Sequence, residues 1–256
     1  MVTGEPALKL LWQIEDTDIK NVKTFYDVHM DSAFVLNRIN RNVKKVLPQF
    51  TNDLFWEAMI SCLITTQQRS GPNSSVTKFI CTKPFPLNYS RCKTSGNIRL
   101  VTEESITAFG GLRRGKSIGE EVEFNSTWLE AGGWEIIHGM VETLTKNQTV
   151  ETERASAELI MDHMKGFGPK QSRNLLQSLG LTTFEIPIDS RITKWLTTFG
   201  FPIQLSATAL SDRNYYNFVL DGFQRLCAAG GILPCVMDAA IFSSFDEVWP
   251  EDKLVW

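Results

Sequence analysis

The sequence predicts an all-α fold, and three observations carry that expectation. Apolar residues recur at the i, i+3, i+4 spacing of a helix over most of the chain. Strand signals are few and short, around 78–81 and 98–101. Turns rich in glycine, proline and small polar residues punctuate the helical pattern, and repeats, low-complexity tracts and long linkers are absent.

Taken in chain order, Phe55, Met59, Cys62 and Leu63 give an apolar face to a helix expected over 50–64. The polar turn Thr65-Thr66-Gln67-Gln68-Arg69-Ser70-Gly71-Pro72 ends it. A short helix is expected over 103–109, stopped by Gly110-Gly111, and another begins over 114–123. Thr149 stands ahead of a helix over 150–164 that carries Ala157, Leu159, Ile160 and Met164. Lys165 ends that helix, and Gly166-Phe167-Gly168 makes a tight turn. Pro169 opens the next helix at its first position, where a missing N–H is no loss. Leu175, Leu176 and Leu179 form its apolar face, and Gly180 stops it. After a loop over 181–187, Ile192, Trp195, Leu196 and Phe199 mark a third helix, with Asp189 at or near its N-cap.

With 43% hydrophobic and 21% charged residues among 256, disorder and fibrous architectures are excluded, and one large or two small domains can be built. The net charge of −3 gives no whole-chain sign of nucleic acid. Its distribution does. Arg69, Lys78, Lys83, Arg91, Lys93 and Arg99 fall in a stretch free of acids, Arg113, Arg114 and Lys116 follow, and acids gather over 120–123 and 246–252, so one basic face is expected. The start lacks the pattern of a secretion signal, and no apolar run reaches the ~20 residues of a membrane span, so a cytoplasmic protein without a membrane partner is expected. The five cysteines are scattered without metal-ligand spacing and read as reduced, mostly buried thiols.

A glycine turn between two helices lets main-chain N–H groups and the positive end of the second helix face an anion such as a phosphate. Lys170 sits just inside that helix, where the dipole works against a charged amine and toward a nucleophile. Lys165-Gly166-Phe167-Gly168-Pro169-Lys170, followed by Ile186-Pro187-Ile188-Asp189, resembles the helix-hairpin-helix and Gly/Pro-Asp signature of the DNA glycosylase superfamily. In that superfamily a lysine at the position of Lys170 marks the bifunctional glycosylase/AP lyases. The spacing to Asp189 is similar to that of the 8-oxoguanine DNA glycosylases, and Lys170-Gln171-Ser172-Arg173 with Leu175 is nearer to their compact archaeal-type branch. Other branches carry a four-cysteine iron–sulfur loop after the third helix. Here only Cys227 and Cys235 lie in that region, so no cluster and no cofactor are expected. Cys62–Gln68 resembles the loop that supplies a wedge for the gap left by a flipped nucleotide, Gly110–Lys116 a glycine-and-lysine turn, and Leu233–Asp238 the C-terminal helix that packs back on the cleft.

The resemblance implies two helical subdomains, 1–50 plus 188–256 and 51–187, with the helix-hairpin-helix at about 155–180 in the latter and an active-site cleft between them. It implies damaged double-stranded DNA as the partner of a monomer, with Lys170 and Asp189 catalytic. Lys165, Gly166, Phe167, Gly168, Gln171, Ser172, Gln67, Gln68 and Arg69 would contact DNA, with Gln67 as the wedge, and Asn174 would line the base pocket. No metal held by side chains is implied, although the hairpin carbonyls could hold a monovalent cation. Four readings remain open: an 8-oxoguanine glycosylase/AP lyase, a glycosylase for another lesion such as an oxidised pyrimidine or alkylated purine, a non-catalytic DNA clamp, and a purely structural helical protein.

Overall fold

In the computed structural model, which describes residues 12–46, 49–68, 70–245 and 249, those residues form thirteen α-helices and no strand. Short polar side chains start most of them. Ser32 Oγ, Thr51 Oγ1, Ser74 Oγ, Asn88 Oδ1, Asn97 Oδ1, Thr149 Oγ1 and Asp212 Oδ1 each accept the N–H three residues on, replacing a bond the first turn cannot make internally.

The first two helices, α1 (Asp16–His29) and α2 (Ala33–Arg38), come from the N-terminal part, and α2 runs into a π-helical turn at Ile39–Val43. Then follow α3 (Asn52–Thr65), α4 (Ser75–Cys81), α5 (Tyr89–Thr94), α6 (Ile98–Phe109) and α7 (Gly115–Trp128). A kink at Gly132, whose φ of +108° breaks the helical path, separates α7 from α8 (Trp134–Lys146). The chain continues through α9 (Val150–His163), α10 (Pro169–Ser178), α11 (Ser190–Phe199), α12 (Arg213–Gly230) and α13 (Pro234–Phe245).

Both segments that carry strand signals are helical. Residues 78–81 belong to α4 and residues 98–101 open α6, which therefore begins ahead of position 103. Their β-branched and aromatic residues suggest strands, but the caps Ser74 and Asn97 set a helical path that buries Val76, Phe79 and Ile106 on one side.

Two hydrophobic cores result. One gathers Phe55, Trp56, Leu63, Phe79, Ile160 and Leu176 from α3 to α10. The other joins Val22, Phe34 and Val35 of the N-terminal helices to Trp195, Phe223 and Ile241 of the C-terminal ones. Asn42, in the π-helical turn, bridges them by donating Nδ2 to the carbonyls of Gln177 (2.9 Å) and Thr182 (2.8 Å). Lys45 donates to the carbonyl of Gly180 at 2.7 Å. Side chains of the N-terminal segment thus bond to carbonyls at and just past the end of α10.

Candidate active site and nucleic-acid interface

Helices α9 and α10 form the hairpin. Gly166 has φ +88°, and a Cβ there would stand 2.6 Å from Leu63 Cδ2 and 3.0 Å from Glu121 Cδ, so both backbone and space demand glycine. Asn125 fixes the turn from below, accepting from Lys165 N (2.7 Å) and donating to Lys165 O (3.0 Å). Helix α10 begins at Pro169 with no side-chain cap from Gly168, which leaves its first N–H groups facing outward.

The side chains expected to contact DNA divide into two sets. Lys165 is exposed beside the turn, and Gln67 is exposed at the end of α3 with a left-handed φ of +59°. Phe167 (3% exposed), Gln171 and Ser172 turn inward. Gln171 donates to Cys62 O at 2.8 Å and Thr66 Oγ1 at 2.6 Å, and Ser172 to Pro169 O at 3.1 Å. Any contact of these three with DNA therefore passes through the main chain. Gln68 exchanges bonds with Arg113 N and O at 2.7 and 3.3 Å, which ties the turn after α3 to the loop before α7. Arg69 lies outside the described residues.

Lys170 is half-buried and, among the described residues, its amine makes no ion pair. Beneath it lies Cys62, whose thiol burial pushes up to about 12 against the pull of the Lys170 charge. Asn174 donates to Cys62 Sγ (3.4 Å) and Gln171 Oε1 (3.3 Å) and lines the same cleft.

Asp189 caps α11: Oδ1 accepts from Arg191 N at 2.8 Å and Ile192 N at 3.1 Å, and Oδ2 pairs with the Arg191 guanidinium at 2.9 Å. The segment leading to it is held on both sides. Glu153, fully buried, accepts the N–H groups of Thr183, Phe184 and Glu185, and Tyr216 OH accepts from Ile188 N (2.6 Å) while donating to Ile186 O (2.9 Å).

Lys170, Asn174, Asp189 and Gln67 all line one cleft of about 1320 Å³ that lies between the two cores. Its lining also holds residues the sequence reading did not single out: Arg38, Arg41, Arg191, Asp238 and Phe242. Arg38 Nη1 pairs with Asp238 Oδ2 at 2.7 Å, and burial nevertheless raises the Asp238 pKa. Arg191 lays its guanidinium over the Phe242 ring at 4.1 Å. The signal for Asp238 is present in the sequence, since a carboxylate inside the apolar run Val236–Ile241 needs a buried cation. Arg38 and Arg41 show the same conflict within an apolar N-terminal helix.

The expected basic face is corrected at several positions. Lys83 pairs with Glu57 (3.6 Å), Lys93 with Glu130 (3.2 Å), Arg99 with Glu120 (2.9 Å) and Arg114 with Glu121 (2.6 Å). The stretch is free of acids in sequence, but neighbouring helices bring carboxylates to it in space. The positive charge facing the cleft comes instead from Arg38, Arg41, Arg113, Lys170 and Arg191.

Two helical cores enclose one cleft, with a helical hairpin on one of them and a lysine and an aspartate in its lining. The same fold is found in solved structures. The chain is similar to the 8-oxoguanine DNA glycosylase of Methanocaldococcus jannaschii, with a TM-score of 0.60 and 16% identity over 91% of this chain and 95% of that one. It is also similar to an 8-oxoguanine glycosylase/lyase of that organism in complex with a 15mer DNA containing 8-oxoguanine, with a TM-score of 0.62 and 14% identity over 89% of this chain and 96% of that one. No protein-family model and no curated protein sequence matches the chain.

Proposed function

We propose that this protein is a DNA glycosylase with AP lyase activity, which excises 8-oxoguanine from duplex DNA. The observation that carries the reading is the placement of Lys170 on the first turn of α10 and Asp189 at the N-cap of α11, both lining one cleft, beside a hairpin with uncapped N–H groups. A phosphate clamp alone would need neither side chain.

Phosphates flanking the lesion would rest on the first turn of α10, and the lesion would be everted into the cleft. The Lys170 amine would attack C1′ of the sugar. The Nζ–C1′ bond forms, the bond to the base breaks, and the departing base takes up a proton. Asp189, held by two N–H groups and Arg191, would stabilise the positive charge that develops on the sugar. The resulting Schiff base permits β-elimination of the 3′ phosphate.

A monovalent cation at the hairpin fits the oxygens present. Glu121 Oε2 is buried without a hydrogen-bond partner and lies against Gly166, and the carbonyl of Lys165 keeps a lone pair beyond the one used by Asn125. Those oxygens would hold it, and it would add positive charge where a phosphate approaches.

The test is borohydride trapping on duplexes carrying 8-oxoguanine opposite cytosine or an abasic site. A covalent adduct is expected with the wild type and none with Lys170→Gln. If the wild type gives no adduct on either duplex, the lysine mechanism is wrong. Release of an oxidised pyrimidine or alkylated purine in preference to 8-oxoguanine would keep the chemistry and replace the substrate.

A further inference from the structure

In the lining of the cleft, Arg38 and Arg41 stand near one carboxylate, that of Asp238, and Arg38 pairs with it. Arg38, whose side chain is 7% exposed, gives Nη1 to Asp238 Oδ2 at 2.7 Å and to Cys235 O at 3.2 Å. Gln177 Nε2 donates to the same Asp238 oxygen at 3.0 Å. Arg41 commits only Nε, to Asn42 Oδ1 at 3.1 Å. Among the described residues neither of its terminal nitrogens has an acceptor; Nη2 is shut off from water, which leaves Nη1 as the one that a group in the cleft can reach. Burial and the like charge of Arg38 push the Arg41 pKa down to about 9, which still leaves it a cation at neutral pH.

The position is rigid. Arg41 sits in the π-helical turn Ile39–Val43, and the next residue, Asn42, is bonded to the carbonyls of Gln177 and Thr182. A guanidinium fixed at a cleft wall without acceptors is costly to keep unless something that enters the cleft supplies them. A guanidinium offers donors only, so the entering group must present acceptors. A phosphate is one candidate, but Asp238 stands beside Arg38 and repels it, while the hairpin and the first turn of α10 provide the phosphate seat elsewhere. Donors next to a carboxylate suit the edge of a base, where carbonyl oxygens and N–H groups alternate.

Resting on the glycosylase reading above, we infer that Arg41 is a specificity-determining residue: its guanidinium donates to the C6 carbonyl oxygen of an everted oxidised purine. A purine with an amino group at C6 presents hydrogens to it and is rejected.

The test compares Kd for duplexes with a 2′-fluoro sugar at the lesion, which resists base release. One series carries 8-oxoguanine, another carries 2-amino-8-oxoadenine, in which an amino group replaces the C6 oxygen, and a third is undamaged. The wild type should favour 8-oxoguanine by at least about tenfold, the size of one good base-edge contact. Arg41→Gln should bring the two lesions within about threefold of each other, and Arg41→Lys, which keeps the charge without the planar fork, should also lower the ratio. Thermal melts establish that both variants are folded. An unchanged ratio in a folded variant overturns the proposal. So does an equal loss on all three duplexes with a salt slope reduced by about 1, because that is the signature of a phosphate contact. Borohydride trapping of wild type on an abasic site, run alongside, separates the two claims, since no base is present there and its failure sinks the lysine glycosylase/lyase reading while leaving the comparison of base edges to stand or fall by the Kd ratio.

Discussion

The carboxylate of Glu153 in α9 accepts the main-chain N–H of Glu185 at 2.8 Å, and the N–H groups of Thr183 and Phe184 bond to the same carboxylate at 2.7 Å each. One side chain thus anchors the loop that ends at Asp189. Glu185 in turn accepts from Arg173 of α10 at 2.7 Å, so the loop is fixed to the helix that carries Lys170. Removing the acceptor strands three buried donors. Glu153→Ala should lower stability by about 3 kcal/mol or more, read from denaturant melts. Burial raises the Glu153 pKa in spite of these donors, so the folded state binds its proton more tightly than the unfolded chain. The proton-linked contribution is complete below the unfolded pKa and is lost as pH rises through the raised folded value. Glu153→Gln, which cannot titrate, should therefore fall short of wild type most at about pH 4, with the gap narrowing toward pH 7. A gap that widens with pH would reverse the sign and refute this account.

Asp189 does two things that one substitution can separate. Its Oδ1 caps α11, and its charge faces the cleft. Asparagine caps a helix as well as aspartate, so Asp189→Asn should melt within about 2 °C of wild type while base release slows. Asp189→Ala should lose both, with about 1 kcal/mol of stability, or roughly 2–4 °C in a chain of this size. Equal base release by Asp189→Asn and wild type would remove the aspartate from the chemistry.

The helical path was legible wherever a cap and a periodic face coincide, as at Thr149 ahead of α9 and Pro169 opening α10. It is illegible at residues 98–101, where a local run of β-branched and apolar residues has strand character and the Asn97 cap decides for the helix. Lys170 and Asp189 carry a local signature. The Arg38–Asp238 pair does not, because its partners lie 200 positions apart and meet only when the two termini build one core. The pairing of the lysines and arginines between Lys83 and Arg114 is hidden for the same reason: charge along a chain does not report which carboxylates the packing brings near.

Thiol chemistry should report that packing. Burial pushes Cys62 up to about 12, Cys92 to about 11 and Cys235 to about 12, and raises Cys227 as well. A thiol is attacked as its thiolate, so all four should resist iodoacetamide in the native protein at pH 8 and react on unfolding. Cys81, half-buried, should be modified first, as peptide mass spectrometry will show. Rapid native labelling of Cys62 would mean that the floor beneath Lys170 opens.

The two glycines of the hairpin should respond oppositely to a methyl group. Gly166 has φ +88° and no room, with Leu63 Cδ2 at 2.6 Å from the added Cβ, so Gly166→Ala should destabilise by about 2 kcal/mol or more through strain and overpacking. Gly168 is extended, with φ −85° and ψ −170°, and nothing lies within 4 Å of its added Cβ. Gly168→Ala should therefore leave the melting temperature within about 2 °C of wild type. It adds a methyl at the mouth of α10, where a phosphate would approach the main chain, and should weaken affinity for undamaged and damaged duplex alike. Titrations on both duplexes, read with the melts, check the pair. A Gly168→Ala variant that binds duplex as tightly as wild type would place the phosphate elsewhere than on the first turn of α10.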